Sequence, residues 1–173
     1  MAKVLFIVAN NWYQDTEFWT TYKTLTAQWH NCEIASWKWW WCWWVFWTEI
    51  ENSKKIEDVN ALDYDLLVFI WWGWAERQYH DNEKYLELAK SWKAVAAICI
   101  APTILSYSWL FNWKEVTGRD DWEKTQIKQI EMNWWIFKYE EVVQDWKIIT
   151  ANWPEAATKF ARKIVDFLKN LEN

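Results

Sequence analysis

The stretch AVAAICIAPTIL, residues 94–105, places a thiol where one structural pattern changes into another. Five apolar residues lead into Cys99, and this unbroken run predicts a strand over residues 94–100 that is buried on both faces. Pro102 is favoured in the first turn of a helix, so a helix is predicted over residues 102–110. Cys99 therefore lies at the junction between a buried strand and a helix.

Similar apolar runs recur along the chain and alternate with helical patterns. Further strands are predicted at residues 3–9, 32–36, 65–70 and 114–118, and further helices at 16–28, 82–92, 123–133 and 154–171. Residues 136–151 predict two strands that form a hairpin at Trp146 if that residue stands where glycine would. This alternation indicates an α/β fold with a mainly parallel sheet. Since no linker or repeat interrupts it, residues 1–173 are expected to form a single domain.

Composition and charge exclude several classes of protein. The net charge is −5 and the basic residues are interspersed, which argues against nucleic-acid binding. No apolar stretch approaches the roughly 20 residues of a membrane span. The spacing of Cys32, Cys42 and Cys99 fits neither a zinc site nor a disulfide framework. We therefore expect a cytoplasmic protein with reduced thiols, no metal and no secretion signal before its first strand.

Tryptophan is abundant and glycine is scarce, with 21 Trp and only 2 Gly. Asn, Asp or Ser directly precedes nine of the tryptophans: Trp12, Trp37, Trp92, Trp109, Trp113, Trp122, Trp134, Trp146 and Trp153. With glycine as the second residue these would be common turn dipeptides, because glycine adopts positive φ without steric cost. We therefore hypothesise that most tryptophans occupy positions that glycine normally fills.

Two explanations of these positions stay open: the tryptophans are real substitutions, or the polypeptide itself carries glycine there. A third interpretation, a tryptophan-rich binding surface, is disfavoured because turns on separate segments are not expected to form one patch. The segment WKWWWCWWVFWTEI, residues 37–50, is accordingly interpreted as a glycine-rich loop or hairpin.

The position of Cys99 suits a nucleophile. Open α/β sheets bind ligands beyond the carboxyl ends of their strands. A tight strand-to-helix turn would expose the thiol there, and the following helix would lower its pKa. The alternative is a small buried hydrophobic residue, which the stretch alone favours because free cysteines are commonly buried.

Four segments resemble the PfpI/ThiJ superfamily, which includes intracellular cysteine peptidases and the parkinsonism-associated deglycase. AICIAPTIL (97–105) resembles its nucleophile elbow, and KVLFIVANNWYQDTEFW (3–19) its first strand and acidic loop. DYDLLVFIWWGWAE (63–76) resembles its glycine turn, with Trp71 and Trp72 at the two glycines, and IITANWPEAATKFARKIVDFL (148–168) resembles its closing strand and helix. The resemblance implies a flavodoxin-like three-layer sandwich with a nucleophile elbow.

The same resemblance implies roles for individual residues. Cys99 takes the position of the reactive thiol, and Glu17 that of the carboxylate that hydrogen-bonds the sulfur. The backbone N–H groups of Trp72 and Ile100 take the oxyanion-hole positions. Without the resemblance, Glu17 would be interpreted as a helix first-turn charge.

The chain also departs from the peptidase branch, which has histidine directly after the cysteine. Here that residue is Ile100, so the Cys–His pair of a peptidase is missing. His80 could approach the site, although a surface or capping role is the more common one. Arg119 could line the pocket with Asp120 and Asp121, but a solvated turn is the preferred interpretation. Cys32 and Cys42 are expected to play no chemical part.

The function implied by the resemblance is that of a cysteine-dependent hydrolase or lyase acting on small aldehydes or glycated amines. Cys99 would attack the carbonyl group and Glu17 would carry the proton. The alternatives are an intracellular cysteine peptidase, a non-enzymatic protein whose cysteine responds to oxidation, and a variant with a blocked site. No cofactor is expected. Family members usually form homodimers or larger rings, so a homo-oligomer is expected.

Overall fold

A seven-stranded sheet forms the centre of the molecule. The computed structural model describes residues 1–9, 11–37, 43–44, 54–71, 79–108 and 113–171. With strands numbered in chain order, the sheet runs β10 (Val142–Asp145), β11 (Ile148–Ala151), β7 (Ala94–Cys99), β6 (Leu66–Trp71), β1 (Lys3–Val8), β3 (Asn31–Ser36) and β5 (Lys54–Lys55). Neighbouring strands are parallel except for the β10–β11 hairpin. The prediction of a mainly parallel sheet is therefore confirmed.

Two short parallel pairs lie apart from this sheet. β2 (Asn11–Tyr13) pairs with β4 (Trp43–Trp44), and β8 (Glu115–Val116) pairs with β9 (Ile136–Phe137). The sequence did not predict β2, β4 or the edge strand β5, because strands of two or three residues show no hydrophobic period. Most of the tryptophan-rich segment 37–50, including Cys42, lies outside the described residues.

The described residues form five helices that flank the sheet: α1 (Asp15–Ala27), α2 (Glu83–Ala89), α3 (Pro102–Ser106), α4 (Thr125–Met132) and α5 (Ala157–Leu171). α1 packs against α5, whereas α3 packs against both α2 and α4. The sheet with these flanking helices is the flavodoxin-like α/β sandwich expected from the resemblance. None of the helices in the described ranges is long and apolar enough to cross a membrane.

The core lies on both faces of the central strands. Every residue of β7 is buried, and residues 66–70 of β6 are fully inaccessible to solvent. The amphipathic α5 contributes Phe160, Ile164 and Leu168, which are also fully buried. Burial at about 25 cal/mol per Å² makes these continuous apolar runs the main source of stability, as the sequence indicated.

Tryptophan occupies left-handed backbone positions at several turns. Seven described non-glycine residues have positive φ, and five of them are tryptophans: Trp29, Trp92, Trp113, Trp134 and Trp146, with φ between 55° and 69°. Trp29 and Trp134 follow helices α1 and α4, where the next residue in each case donates back to the carbonyl of Leu25 or Ile130. That pattern is the Schellman motif, in which glycine normally holds the left-handed position. The glycine-position hypothesis is confirmed for these five residues.

Other tryptophans do not follow this rule. Trp153, one of the nine tryptophans preceded by Asn, Asp or Ser, has an extended backbone with φ −133°. The structure also brings several tryptophans closer together than the sequence suggested. The rings of Trp113 and Trp134 lie 5.6 Å apart, and Lys147 Nζ lies over the rings of both Trp92 and Trp146. Each pair of turns meets because it precedes a pair of parallel strands, β8 and β9 for Trp113 and Trp134, and β7 and β11 for Trp92 and Trp146.

Candidate active site

Cys99 lies on a sharp turn between β7 and α3. Its φ is 64°, which reverses the chain directly after the last strand residue. The Ala101 N–H donates to the Ile98 carbonyl at 3.1 Å, and α3 begins at Pro102 as the sequence predicted. α3 ends at Ser106, earlier than predicted. A non-glycine residue in this conformation costs about 1–3 kcal/mol and is retained where the surrounding structure fixes it.

A neighbouring segment fixes the turn from the other side. The Arg119 N–H donates to the Cys99 carbonyl oxygen at 2.8 Å. A Cβ atom at Gly118 would lie 3.3 Å from the same oxygen and 3.5 Å from the Pro102 side chain. A side chain at 118 would therefore fit only if the Cys99 carbonyl moved by a few tenths of an ångström, so Gly118 allows the two backbones to approach closely. Gly118 was not among the predicted site residues, although it is one of only two glycines in the chain.

Glu17 reaches the same edge of the sheet from α1. The strand register aligns Val8 with Ile70 and Ile70 with Ile98, so β1, β6 and β7 end side by side. Glu17, in the first turn of α1, is fully buried at this edge. Both of its carboxyl oxygens lack a partner of standard hydrogen-bond geometry among the described residues. Glu17 is therefore not the exposed first-turn charge of the alternative interpretation.

The carboxyl and the thiol affect each other. Burial raises the pKa of Glu17 well above its ordinary value, and interaction with the Cys99 thiol opposes that rise. Burial likewise raises the pKa of Cys99, the charge of Glu17 raises it further, and Arg119 lowers it. Both shifts favour the neutral form of each group, a protonated carboxyl and a thiol.

The expectation that the turn exposes and activates the sulfur is wrong for this conformation. Cys99 is only 1% exposed, and the residues directly after it, Ile100 and Ala101, are buried as well. The desolvation that accompanies this burial outweighs the effect of the short helix α3, so the pKa rises instead of falling. The local sequence placed the thiol correctly on the turn but could not show what covers it.

Of the two expected oxyanion-hole donors, only Ile100 lies within the described residues. The Ile100 N–H hydrogen-bonds the Cys99 side chain and thereby favours its thiolate. Trp72 lies outside the described residues. The backbone of Trp71 is described as the last residue of β6, and it pairs with Cys99 in the parallel register.

Arg119 is brought to the site and is not part of a solvated turn. It is half-buried, and its charge lowers the pKa of both Cys99 and Glu17. Its guanidinium lies 5.2 Å from the centre of the Trp153 ring. The preferred interpretation of Arg119 from sequence was therefore wrong, because the hydrogen bond to Cys99 draws this segment onto the elbow.

The sequence assigned Asp120 and Asp121 to a solvated turn. Asp120 and Asp15 each bury one oxygen with no hydrogen-bond partner among the described residues, so Asp120 is also not fully solvated. Asp121 instead accepts a hydrogen bond from the Thr125 N–H at 2.9 Å and caps α4. Burial raises the pKa of Cys32 to about 12, which agrees with its expected lack of chemistry.

His80 approaches the elbow but contacts α3. Its Nε2 lies 3.1 Å from the hydroxyl oxygen of Thr103, four residues beyond the thiol. Burial lowers the pKa of His80 to about 4, so the ring is neutral at neutral pH. Thr103 was missed by the sequence analysis, although its position one turn after Cys99 was a usable signal.

The described residues contain no cluster of three or more His, Cys, Asp or Glu side chains that could hold a metal ion. What the site offers is a buried thiol, a buried acid, an arginine and backbone N–H donors. This set can hold and move a proton next to a sulfur nucleophile.

Comparison with known proteins places this site in context. A sequence model of the DJ-1/PfpI family matches residues 2–167. A putative cysteine protease of Bacillus subtilis, YraA, is 30% identical over 125 residues, which cover 70% of this chain and 71% of that protein. An uncharacterised protein of Methanocaldococcus jannaschii is 26% identical over 168 residues, which cover 95% of this chain and 81% of that protein.

Solved structures show the same fold. A ThiJ/PfpI domain protein from Brachyspira murdochii superposes with a TM-score of 0.89 at 20% identity, covering 97% of this chain and 96% of that one. DJ-1beta of Drosophila melanogaster superposes with a TM-score of 0.83 at 22% identity, covering 97% and 91%.

Proposed function

We propose, because this chain belongs to the DJ-1/PfpI family, that it is a cysteine-dependent enzyme for small aldehydes or glycated amines. Cys99 is the nucleophile and Glu17 is the proton carrier. The observation that carries the proposal is the buried carboxyl of Glu17, whose oxygens lack standard partners among the described residues while it interacts with the Cys99 thiol. An unpaired buried carboxyl costs stability, which is consistent with retention for chemistry.

The first step is addition of sulfur to a carbonyl carbon. The thiol proton leaves as the S–C bond forms, and the π electrons of the carbonyl move to its oxygen. Glu17 in its protonated form donates to that oxygen, and the carboxylate so formed accepts the thiol proton, so the step is a balanced addition that gives a hemithioacetal. With the aminocarbinol formed from an amine and a 2-oxoaldehyde, the same addition to the remaining ketone gives a hemithioketal. The C–N bond on the neighbouring carbon then breaks as the hydroxyl there becomes a carbonyl group, and the hydroxyl proton passes to the departing amine.

Backbone donors would stabilise the developing alkoxide. The Ile100 N–H, which faces the sulfur in the resting site, is proposed to turn to the oxygen as negative charge moves there. The Trp72 N–H is proposed as the second donor. Arg119 favours the anionic forms of both reacting groups, so it is proposed to assist ionisation of the thiol.

Completion of the reaction consumes water. For a 2-oxoaldehyde, transfer of the hydrogen from the thiol-bearing carbon to its neighbour gives a thioester of a 2-hydroxy acid. Hydrolysis of the thioester returns the Cys99 thiol and releases the acid. The sum is redox-neutral, so the proposal needs no cofactor.

Burial favours a small substrate over a peptide. A thiol with 1% exposure admits small molecules only after limited opening, whereas a peptide backbone needs an open cleft. Ile100 also supplies no proton acceptor in place of histidine. A peptidase activity is kept as a second candidate because YraA, the Bacillus subtilis relative, is named a putative cysteine protease.

A non-enzymatic redox role is the third candidate, supported by the same Cys99–Glu17 pair. Hydrogen peroxide would transfer one oxygen to the thiolate and leave as water, and a second equivalent would give the sulfinate. The protonated Glu17 carboxyl would then donate to a sulfinate oxygen.

One set of assays separates these candidates. We expect methylglyoxal turnover in the wild-type chain, its loss in Cys99→Ala, and full retention in the control Cys32→Ser. Casein hydrolysis that depends on Cys99 would instead identify a peptidase. Addition of two oxygens to Cys99 under mild peroxide, without turnover of either substrate, would leave the redox role.

The organisation of the protein is also a proposal. Residues 1–173 are proposed to act as a single domain that assembles into a homo-oligomer and works in the cytoplasm. Sedimentation equilibrium that gives a mass of 21.4 kDa, that of one chain, at micromolar concentration would contradict the oligomer.

A further inference from the structure

A side-chain relay connects His80 to the turn that carries the thiol. His80 Nε2 lies 3.1 Å from Thr103 Oγ1, and the Thr103 hydroxyl donates to the Ile100 carbonyl oxygen at 2.8 Å. The Thr103 N–H donates to the same oxygen at 3.1 Å. Ile100 is the residue directly after Cys99, so the relay ends at the elbow.

The direction of each hydrogen bond in the relay follows from the number of hydrogens that each group carries. The Thr103 hydroxyl has one hydrogen, and the Ile100 carbonyl can only accept it. His80 Nε2 must therefore donate to the Thr103 oxygen, which makes Nδ1 the unprotonated nitrogen of the neutral ring. Protonation of the ring would leave the Nε2–H donor in place.

α3 needs an anchor of this kind. It has only five residues, and its N-cap residue, Ala101, provides no side-chain hydrogen bond. A helix this short is unstable unless tertiary contacts hold it. Thr103 is 1% exposed, and the ring of His80 also packs against Tyr107 with centroids 4.5 Å apart. His80 thus contacts the first and the last turn of α3 from a different segment of the chain.

We propose that His80 is a positioning residue that, through Thr103, fixes the first turn of α3 and with it the direction of the Ile100 N–H at the thiol. The expected effect of His80 on turnover rests on the proposed function, whereas its expected effect on the reactivity of the Cys99 thiol does not. His80 itself touches neither the sulfur nor the reacting carbonyl.

The variants are chosen in matched pairs. His80→Leu removes the donor, whereas His80→Gln keeps an N–H at the position of Nε2. Thr103→Val removes the hydroxyl, whereas Thr103→Ser keeps it. The double variant His80→Leu/Thr103→Val tests whether the two residues act as one unit.

Two readouts are measured for every variant. The first is the rate of iodoacetamide alkylation at Cys99, resolved from Cys32 and Cys42 by peptide mass mapping. The second is kcat and KM with methylglyoxal. Thermal unfolding identifies any variant that fails to fold. If His80→Leu or Thr103→Val fails to fold, His80→Gln and Thr103→Ser can still be compared with wild type.

We expect His80→Leu and Thr103→Val each to lower both the alkylation rate of Cys99 and kcat by about 3- to 10-fold, the size of one lost hydrogen bond. KM should stay nearly unchanged. The double variant should be no worse than either single variant, and Gln and Ser should restore both readouts. The acid limb of the pH–rate profile should be the same in wild type and His80→Gln, since a positioning donor does not titrate away.

Three results would overturn the proposal: losses that multiply in the double variant, His80→Gln as impaired as His80→Leu, or an acid limb that disappears with the imidazole. The last result would identify His80 as a base. If the wild-type chain turned over no aldehyde, the alkylation rates alone would still decide the positioning role, so failure of the proposed function is distinguishable from failure of this one.

Discussion

The elbow and the surface turns both hold non-glycine residues with positive φ, yet the two regions differ in every other respect. At the elbow Cys99 is 1% exposed, and its carbonyl accepts the Arg119 N–H. At the turns the exposed fraction of the tryptophan side chains lies between 56% and 83%. The backbone conformation is similar in the two regions, but the strained residue is buried at the elbow and exposed at the turns.

The difference shows where strain is retained for a reason. At the elbow the left-handed residue reverses the chain between β7 and α3 and keeps the thiol beside Glu17. At the turns the same conformation ends a helix at Trp29 and Trp134 and closes a hairpin at Trp146, which glycine does without cost. The indole rings there cover little of the core. We therefore expect replacement by glycine to have opposite consequences in the two regions.

The largest expected effect is at the elbow. Cys99→Gly relieves the positive φ but removes the nucleophile, so turnover should fall by about 10⁴-fold or more. The free energy of unfolding of this variant should differ from that of wild type by less than about 1 kcal/mol, because relief of strain offsets the loss of a buried side chain. Steady-state kinetics and urea denaturation measure the two effects. A large gain in stability would show that the elbow and the turns are equivalent.

The next effect is at the turns taken together. Glycine at Trp29, Trp92, Trp113, Trp134 and Trp146 should stabilise the fold by about 5 kcal/mol in total, at about 1 kcal/mol per relieved residue. That corresponds to a rise in Tm of about 10–20 °C for a chain of this size. Calorimetry measures it, and unchanged methylglyoxal turnover serves as the control.

The mass of the native polypeptide sharpens the same comparison. A measured mass of 21.4 kDa would show that the tryptophans are present. A mass lower by the difference between tryptophan and glycine at each such site would show that the turns already carry glycine, and that only Cys99 and Lys124 of the seven described positive-φ positions hold a residue with a side chain.

A third prediction concerns the carboxyl that distinguishes the elbow from the turns. Glu17→Gln should lower turnover by about 10²- to 10³-fold, since the proton carrier is lost. Alkylation of Cys99 should instead begin at lower pH, because Glu17 contributes to the raised pKa of the thiol. Opposite changes in the two rates are required; a parallel fall in both would contradict the assigned role.

The same variant has a definite effect on stability. The unfolded carboxyl ionises near 4.5, whereas the pKa of folded Glu17 is raised by burial. The proton that the folded chain retains stabilises it fully below pH 4.5, and this contribution is lost as pH rises toward the folded pKa. Urea denaturation at several pH values should therefore show Glu17→Gln gaining stability relative to wild type as pH increases.

The smallest effect separates strain from side-chain size. Trp29→Gly should stabilise by about 1 kcal/mol, whereas Trp29→Ala keeps a Cβ at φ 63° and should give little of that gain. Trp122, which is fully exposed and has no positive φ, provides the control. Trp122→Gly should stay within about 0.5 kcal/mol of wild type. Equal gains from alanine and glycine at position 29 would attribute the effect to the indole ring.

The sequence by itself determined the layered fold and the place of the elbow. Continuous apolar runs such as residues 94–100 have one stable arrangement, burial between helices, so their pattern predicts a parallel sheet. Of the nine turn dipeptides, four identified left-handed positions, at Trp92, Trp113, Trp134 and Trp146, because the φ of a turn depends strongly on its nearest neighbours. The dipeptides at Trp122 and Trp153 did not, since neither residue has positive φ. Glu17 could be found only through the family resemblance.

Tertiary structure alone decided the state of the site. Whether Cys99 is exposed, which way its pKa shifts and whether Arg119 faces the thiol depend on atoms from α1 and from the segment around Gly118, which are remote from Cys99 in sequence. The His80–Thr103 contact joins residues 23 apart in the chain and leaves no local pattern. Desolvation and charge act through space, and therefore the chemistry of the thiol could not be obtained from its neighbours in the chain.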